Sequence, residues 1–341
     1  MVTDKNVSLW YAPASGDRHA EVLLPASDKL TVCRSRWSRA MVDRLVIRGR
    51  LPLGRLLGTG KALGAWSPDF TLPPLQAGWK AVTAHDIAWM VAPSYAPRGL
   101  RAFLVSVVPR QLATSDRVFA VSESVRIELI DRFPEIMDRV IVAPNGVESR
   151  FWEAANVLDR RSLNHLDLPA EYLLMVGTLE PRKNHLRVIE AIMRMNSPLP
   201  LVVAGGRGWA EEPIIRAMAA AGPQVKYVGY VPDDLLPQLY ANAAAFIAAS
   251  VYEGFDLPLL EALATGTEVI ASDIPVHREI AGNLAHFFDP HSADSIEDGI
   301  IGLISGNRGP KNLQEPRAAV LSRYQWHSSA DRVWSTIRER L

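Results

Sequence analysis

The sequence has little of several features that would mark a specialised class of protein. Its 341 residues include a single cysteine, Cys33, which excludes an internal disulfide and a cysteine-ligated zinc site. Lys plus Arg and Asp plus Glu both number 37, so the chain has no general attraction for nucleic acid, and no nucleic-acid partner is expected. No apolar run reaches the roughly 18 residues of a spanning helix, and the start lacks the features of a signal peptide. We therefore expect a cytoplasmic protein, with peripheral contact at the inner membrane face left open.

The composition is that of folded globular domains. Apolar residues make up 48% and charged residues 22% of the chain, which argues against a disordered or collagen-like protein. At about 100–200 residues per domain, the length indicates two domains.

The second half of the chain alternates between short apolar runs and segments of helical periodicity. Strands that are apolar throughout and separated by helices predict a parallel sheet covered on both faces, and hence a doubly wound Rossmann-like domain. The predicted strands are 172–178, 200–204, 225–228, 244–250 and 268–272, and the predicted helices are 185–194, 211–221, 234–242 and 257–264.

The first half is less regular but also predicts an α/β domain. The alternation lapses between residues 150 and 169, so we place an N-terminal domain at 1–160 and a C-terminal domain at 161–325, followed by a terminal segment at 326–341. The predicted strands of the first half are 7–11, 21–25, 30–34, 81–85, 118–121 and 140–143, with helices at 122–132 and, at the C-terminus, 329–341.

The clearest chemical signal is the segment EGFDLPLLE, residues 253–261, which follows a predicted buried strand. Asp256 is a good N-cap and a proline stands in the next turn, so a helix begins here with free N–H groups and its positive dipole end facing a crevice. Glu253 in the loop and Glu261 in the helix place two acceptor carboxylates beside these donors, which suits sugar and ribose hydroxyls. The alternative is a helix start with favourable acidic residues near its N-terminus.

Two further segments follow predicted strands. GTLEPRKN, residues 177–184, contains Arg182 and Lys183, which can bind a diphosphate and stabilise its charge as a leaving group. The alternative is a solvated basic turn. His85, at the end of a predicted strand, is placed to hydrogen-bond a bound sugar, although a lone histidine is more often structural.

These segments together resemble the retaining family 4 glycosyltransferases of GT-B fold, and within that family the bacterial mannosyltransferases that build O-antigen and other surface polysaccharides. The resemblance implies two Rossmann-like doubly wound domains facing a cleft, with the last helix crossing back onto the N-terminal domain. Family members open with a glycine-rich loop that is missing here, so we expect an abbreviated N-terminal domain. The stretches that carry the likeness run from about residue 79 to the C-terminus and read AVTAHDIAW, RVFAVSESVR, VIVAPNGV, LLMVGTLEPRKN, YVGYVPDDLL, SVYEGFDLPLLEALATGTEVIASDIPVHREIAG and YQWHSSADRV.

The resemblance also implies a role for each matching residue. Arg182 and Lys183 would hold the donor diphosphate, and Glu261 would bind the ribose hydroxyls. Glu253 would lie near the transferred sugar, which His85 would approach from the N-terminal domain. The remaining donor-binding set comprises Thr178, where many relatives have arginine, then Gly254, Phe255, Asp256 and Leu257 with their backbone amides, and finally Gly229, Tyr230 and Val231 beside the nucleobase.

Three functional hypotheses follow. The first is transfer of a hexose, by preference mannose from GDP-mannose although a UDP-sugar also fits, with retention, to a saccharide or lipid-linked saccharide. No metal or other cofactor is expected, because no two aspartates are separated by one residue as in the metal-binding Asp-x-Asp motif of the other main glycosyltransferase architecture. The second is a nucleotide-sugar-binding partner or scaffold subunit with little activity alone. The third is a sugar-nucleotide epimerase with a related two-domain fold.

Overall fold

The structure is a computed structural model that describes residues 7–11, 30–34, 62–72, 77–195, 197–305 and 314–339. The predicted strand at 21–25 lies outside the described residues. All the strand pairs in the described part of the chain are parallel.

The first half of the chain forms a two-stranded and a four-stranded parallel sheet. The first pairs β1 with β2, and the second has the order β3-β4-β5-β6. The strands are β1 Val7–Tyr11, β2 Leu30–Arg34, β3 Ala62–Ser67, β4 Ala77–Ala84, β5 Arg117–Ala120 and β6 Val140–Val142, and the helices are α1 Ala88–Val91, α2 Arg98–Thr114, α3 Glu123–Arg132 and α4 Ser149–Ala154.

Four elements of this half were not predicted from the sequence: the short helices α1 and α4, strand β3 and helix α2. Strand β3 reads ALGAWS and has no β-branched residue, so its composition does not favour a strand, yet it pairs with β4 along its length. Helix α2 carries an internal proline, Pro109, which obscures its helical pattern. The predicted helix at 122–132 is confirmed with one adjustment: Ser122 is its N-cap, with a side chain that accepts a hydrogen bond from the Val125 N–H.

The second half forms a six-stranded parallel sheet of order β12-β11-β10-β7-β8-β9, so the predicted doubly wound domain is confirmed. The order reverses between β7 and β10, which makes that pair the topological switch point. The strands are β7 Leu173–Val176, β8 Leu201–Ala204, β9 Val225–Gly229, β10 Ala245–Ala248, β11 Val269–Ser272 and β12 Ala285–Phe288, and the helices are α5 His185–Arg194, α6 Glu212–Ala221, α7 Leu236–Ala241, α8 Leu257–Ala264, α9 Pro275–Ala281 and α10 Ala293–Ile304. Strand β12 and helices α9 and α10 were not predicted.

The last two helices are α11 Gln314–Arg323 and α12 Trp326–Arg338. Helix α12 packs on the four-stranded sheet, where Val333 lies in a buried cluster with Trp79 and Phe119. Arg332 donates a hydrogen bond to the Val142 carbonyl at 3.2 Å. The predicted helix at 329–341 therefore begins three residues earlier, at Trp326, while the domain boundaries stay a prediction. None of the helices in the described ranges is long and apolar enough to cross a membrane.

Candidate active site

The predicted site residues gather around two loops at the switch point of the six-stranded sheet. One loop joins β7 to α5 and carries Arg182 and Lys183, and the other joins β10 to α8 and carries Glu253 and Asp256. Both leave the carboxyl ends of neighbouring strands, the position where open α/β sheets bind ligands. The structure thus brings together four side chains that the sequence places in segments about 70 residues apart.

The two cations are paired with carboxylates of the protein. Arg182 lies 2.7 Å from Glu180 through Nη2 and Oε1, and its Nη1 contacts Glu253 Oε2. Lys183 Nζ lies 2.6 Å from Glu253 Oε1, which also accepts a hydrogen bond from Ser250 Oγ at 2.8 Å. Burial by itself would lower the pKa of Lys183, but the charges of Glu253 and Asp256 raise it above its usual value. Both cations are therefore charged and held in place, with Glu253 shared between them.

Asp256 takes the N-cap position of α8, but its side chain makes no capping hydrogen bond, so this part of the prediction was wrong. The reason is that the carboxylate interacts with other side chains and not with the backbone N–H groups of α8. Its Oδ2 lies 2.9 Å from Nε2 of the buried His277, and its Oδ1 lies 3.6 Å from Lys183 Nζ. Burial would raise the pKa of Asp256, but Lys183 and the hydrogen bond with His277 lower it to about 2. The backbone of Asp256 has φ = 125°, a region that strains a non-glycine residue.

Glu261 lies one helical turn further along α8, beside Tyr240. The Tyr240 hydroxyl donates a hydrogen bond to Glu261 Oε2 at 2.9 Å. Burial raises the pKa of Glu261 to about 7, although the hydrogen bond from Tyr240 lowers it. This carboxyl group is thus partly protonated near neutral pH.

The loop after β4 reaches the same place from the four-stranded sheet. Gly254 packs against it so closely that a Cβ at Gly254 would lie 1.8 Å from the His85 carbonyl oxygen, which only glycine permits. The His85 side chain is exposed, with Nε2 2.7 Å from the Pro68 carbonyl oxygen. Ser122 Oγ also donates to the Gly254 carbonyl at 2.6 Å. His85 therefore enters the site region through its backbone, and its ring lies at the surface.

Tyr252 ties the two sheets together beside the site. Its hydroxyl accepts a hydrogen bond from the Ile87 N–H at 3.1 Å and donates one to Glu128 Oε2 at 2.7 Å. Burial raises the pKa of Glu128, and also that of Asp86, whose Oδ1 accepts from the Ala88 N–H at 2.9 Å. These contacts join the loop that carries Glu253 to both α3 and the loop that carries His85.

The remaining predicted residues lie outside this cluster of charged side chains. Gly229 is the last residue of β9, the edge strand of the sheet on the far side from β10, and Tyr230 follows it with 70% of its surface exposed. Val231 and Phe255 are buried, with the Phe255 ring 5.6 Å from that of Tyr324. In addition, Thr178 is exposed and Leu257 is half-buried.

Sequence comparison identifies the family. The model of the family described as "Glycosyl transferases group 1" matches residues 160–318. The chain is 32% identical over 270 residues to the O-antigen chain mannosyltransferase B of Escherichia coli, covering 76% of this chain and 70% of that protein. The chain belongs to the group 1 glycosyltransferases. This glycosyltransferase is also 32% identical over 171 residues to the serotype-specific mannosyltransferase WbdA of E. coli, of which it covers only 20%.

Solved structures show the fold of this glycosyltransferase. Sucrose-phosphate synthase from Thermosynechococcus elongatus matches it with a TM-score of 0.73 at 18% identity, covering 98% of this chain and 88% of that one. HepE from Anabaena in complex with UDP matches with a TM-score of 0.62 at 17% identity, covering 76% and 72% of the two chains. The predicted GT-B architecture is confirmed.

Sequence reasoning missed several residues that the structure places at the site of this glycosyltransferase. His277 and Tyr252 are the main examples. The His277 ring hydrogen-bonds Asp256, and the backbone carbonyl of Tyr252 accepts a hydrogen bond from Arg182 Nη1 at 3.0 Å. No motif or spacing in the sequence marks either residue. Among the described residues, no group of three or more His, Cys, Asp or Glu side chains is arranged to hold a metal ion. Metal independence stays a prediction.

Proposed function

We propose that this glycosyltransferase transfers a hexose, by preference mannose from GDP-mannose, with retention and without a metal ion, to a saccharide or lipid-linked saccharide acceptor. The observation that carries the proposal is the meeting of Arg182 and Lys183 with the start of α8 at the switch point of the sheet. Two adjacent cations beside a helix N-terminus suit a diphosphate. The similarity to the E. coli O-antigen mannosyltransferase supports mannose as the sugar and a growing polysaccharide as the acceptor.

In this proposal Arg182 and Lys183 exchange their carboxylate partners for the oxygens of the donor diphosphate. Charge grows on that diphosphate as the bond to the sugar breaks, and cations already fixed in a half-buried site stabilise it with little reorganisation. The proposed chemistry needs no protein nucleophile, because orientation of the donor and acceptor and stabilisation of the leaving group supply the catalysis.

The carboxylates then serve as hydroxyl acceptors. Glu253 loses both cationic partners when the diphosphate takes them, and a buried carboxylate without a partner is costly, so it requires hydrogen-bond donors such as sugar hydroxyls. We assign Glu261 to the ribose hydroxyls, the exposed Tyr230 with its neighbours to the nucleobase, and His85 to the sugar. A cytoplasmic location with contact at the inner membrane face belongs to the same proposal, because it fits a lipid-linked acceptor.

The direct test incubates the purified chain with GDP-mannose, UDP-glucose and other nucleotide sugars, with a lipid-linked saccharide as acceptor, in the presence and absence of a chelator. We expect product from GDP-mannose in both conditions, with the anomeric configuration of the donor retained by NMR. Product that requires added metal, or an inverted linkage, would contradict the proposed mechanism.

Variants test the site assignment. Lys183→Ala and Glu261→Ala should each lower kcat/KM at least about a hundredfold, as expected when leaving-group or positioning contacts are lost. Lys226→Ala and Glu171→Ala are matched controls, because Lys226 pairs with Asp167 away from the site and Glu171 is exposed. Wild-type turnover in either test variant would refute the assignment. Tight nucleotide binding without transfer or hydrolysis would favour the scaffold alternative.

A further inference from the structure

A small cavity lies behind the candidate diphosphate loop, between the C-terminal ends of β7 and β10. Its volume is about 10 Å³, which is room for roughly one water molecule. Most of its lining comes from the two strands, but three charged or titratable side chains also face it: Lys183, His185 and Asp256. Only Lys183 and Asp256 were assigned to donor binding, so His185 has no role in the proposed reaction.

Two buried acceptor atoms line this cavity. His185 is 1% exposed, and its Nδ1 has no hydrogen-bond partner within the described part of the chain. Asp256 is 5% exposed, and its Oδ1 likewise has none, while Oδ2 is taken by His277. Buried polar atoms in folded proteins are nearly always hydrogen-bonded, because leaving one unpaired costs its lost hydration.

The ring of His185 is neutral, and the position of its single N–H makes Nδ1 a hydrogen-bond acceptor. Burial, followed by the charge of Lys183, lowers the pKa of His185 to about 4, so the imidazole is neutral near pH 7. Hydrogen bonding to the Glu180 backbone opposes this lowering of the pKa, and because Nδ1 has no partner in the described part of the chain, this interaction belongs to the N–H on Nε2. In a neutral ring the other nitrogen then accepts.

The donor facing these acceptors is the Lys183 ammonium. Its contact with Glu253 Oε1 uses one of its three N–H groups. The distance from Nζ to Asp256 Oδ1 is 3.6 Å, which is too long for a direct hydrogen bond and leaves both atoms within reach of one water molecule.

We propose that one internal water occupies this cavity, donating its two hydrogens to His185 Nδ1 and Asp256 Oδ1 and accepting a hydrogen bond from Lys183 Nζ. Two acceptors and one donor match the hydrogen-bonding capacity of a water molecule, and the adjacent ammonium and carboxylate disfavour a cation and an anion, respectively. The water fixes the Lys183 ammonium, which makes His185, Asp256 and His277 positioning residues. It also gives a reason for the strained φ of Asp256, which aims a carboxylate between Lys183 and His277.

A crystal structure at a resolution that shows ordered water tests the site directly. We expect density within hydrogen-bonding distance of all three atoms in the wild type and in His185→Asn, whose amide oxygen replaces Nδ1 as acceptor. In His185→Leu the water should be lost and the Lys183 side chain should shift. Absence of the water from the wild type, or an unmoved Lys183 in His185→Leu, would overturn the proposal.

Nucleotide binding tests the positioning role, which rests on the function proposed above. His185→Leu should weaken GDP binding about five- to tenfold by calorimetry, as expected for a residue coupled to its neighbour, and His185→Asn should restore most of it. In a Lys183→Ala background, His185→Leu should cause no further loss, and the exposed His165→Leu should have no effect in either background. If His185→Leu weakens GDP binding equally in both backgrounds, the role of His185 is structural and does not act through Lys183. If the wild type binds no nucleotide, the proposed function fails, whereas the density alone decides the water site.

Discussion

Replacing Glu253 by glutamine should strengthen the binding of a nucleoside diphosphate while it weakens transfer. Glu253 is 9% exposed as a side chain and contacts both Arg182 and Lys183, so it competes with the diphosphate for the same cations. Arg182 and Lys183 carry +2, and Glu180, Glu253 and Asp256 carry −3, which gives the cluster a formal charge of −1 that Glu253→Gln would raise to 0.

The magnitude follows from the charge that the substitution removes. One carboxylate about 4 Å from a unit negative charge costs about 4 kcal/mol at an effective dielectric constant of 20. A bound diphosphate lies farther than this from Glu253 and remains partly solvated, which weakens the repulsion. We therefore expect Glu253→Gln to improve the free energy of GDP binding by about 1–2 kcal/mol, which is a gain of about 5- to 30-fold in affinity. The kcat for transfer should fall at least about tenfold, because the proposed sugar contact is lost.

Calorimetric titration with GDP, with parallel kinetics on the nucleotide sugar, measures both effects. Glu180→Gln is a graded control. Glu180 pairs with Arg182 but not with Lys183, so this substitution should increase GDP affinity by less than Glu253→Gln does. Glu171→Gln, at an exposed position, should change neither quantity. Unchanged or weaker GDP binding in a folded Glu253→Gln protein would refute the reasoning. It would show that Glu253 does not compete with a diphosphate for Arg182 and Lys183.

Three further predictions concern stability. Because burial raises the pKa of Glu261 to about 7, its neutral form is favoured in the fold, so the free energy of unfolding should fall by about 3 kcal/mol as pH rises from 4.5 to 8, and Glu261→Gln should remove this fall in urea titrations. Tyr252→Phe leaves the Ile87 N–H and Glu128 without the shared hydroxyl and should destabilise the fold by about 1–2 kcal/mol in the same assay. Val333→Asp places a charge in the buried contact of α12 with the four-stranded sheet and should cost about 3 kcal/mol or more.

Matched substitutions make these results interpretable. Tyr230→Phe removes an exposed hydroxyl and should leave stability unchanged, as should Ser335→Asp on the exposed face of α12. A Glu261→Gln protein with the pH dependence of the wild type would show that the carboxyl group is not buried as described. Equal stability of Val333→Asp and Ser335→Asp would show that α12 does not pack on the sheet.

The sequence by itself determined most elements of the second half of the chain and the segments that form the candidate site. Apolar strands separated by amphipathic helices predict a parallel doubly wound sheet, since only helices on both faces can bury such strands. Strands marked by continuous apolar runs and helices marked by clear periodicity were found within a few residues, and α5 and α8 have the predicted bounds. Strand β3 and helix α2 were missed because their composition does not favour the element that tertiary packing imposes.

Only the tertiary structure decided how the site charges pair. The sequence placed Arg182 and Lys183 near Glu253 through the order of the strands, but the pairing depends on distances of a few ångströms. Nothing in the sequence indicated that His277 and Tyr252 take part. Their hydrogen bonds join segments up to 165 residues apart, and such bonds produce no periodicity or fixed spacing in the sequence. The local pattern of apolar and polar residues indicates which face of a helix or strand is buried. The hydrogen-bond partner of a buried polar group depends instead on how distant segments pack together. That is why the meeting of the two loops was predictable and the pairing of their charges was not.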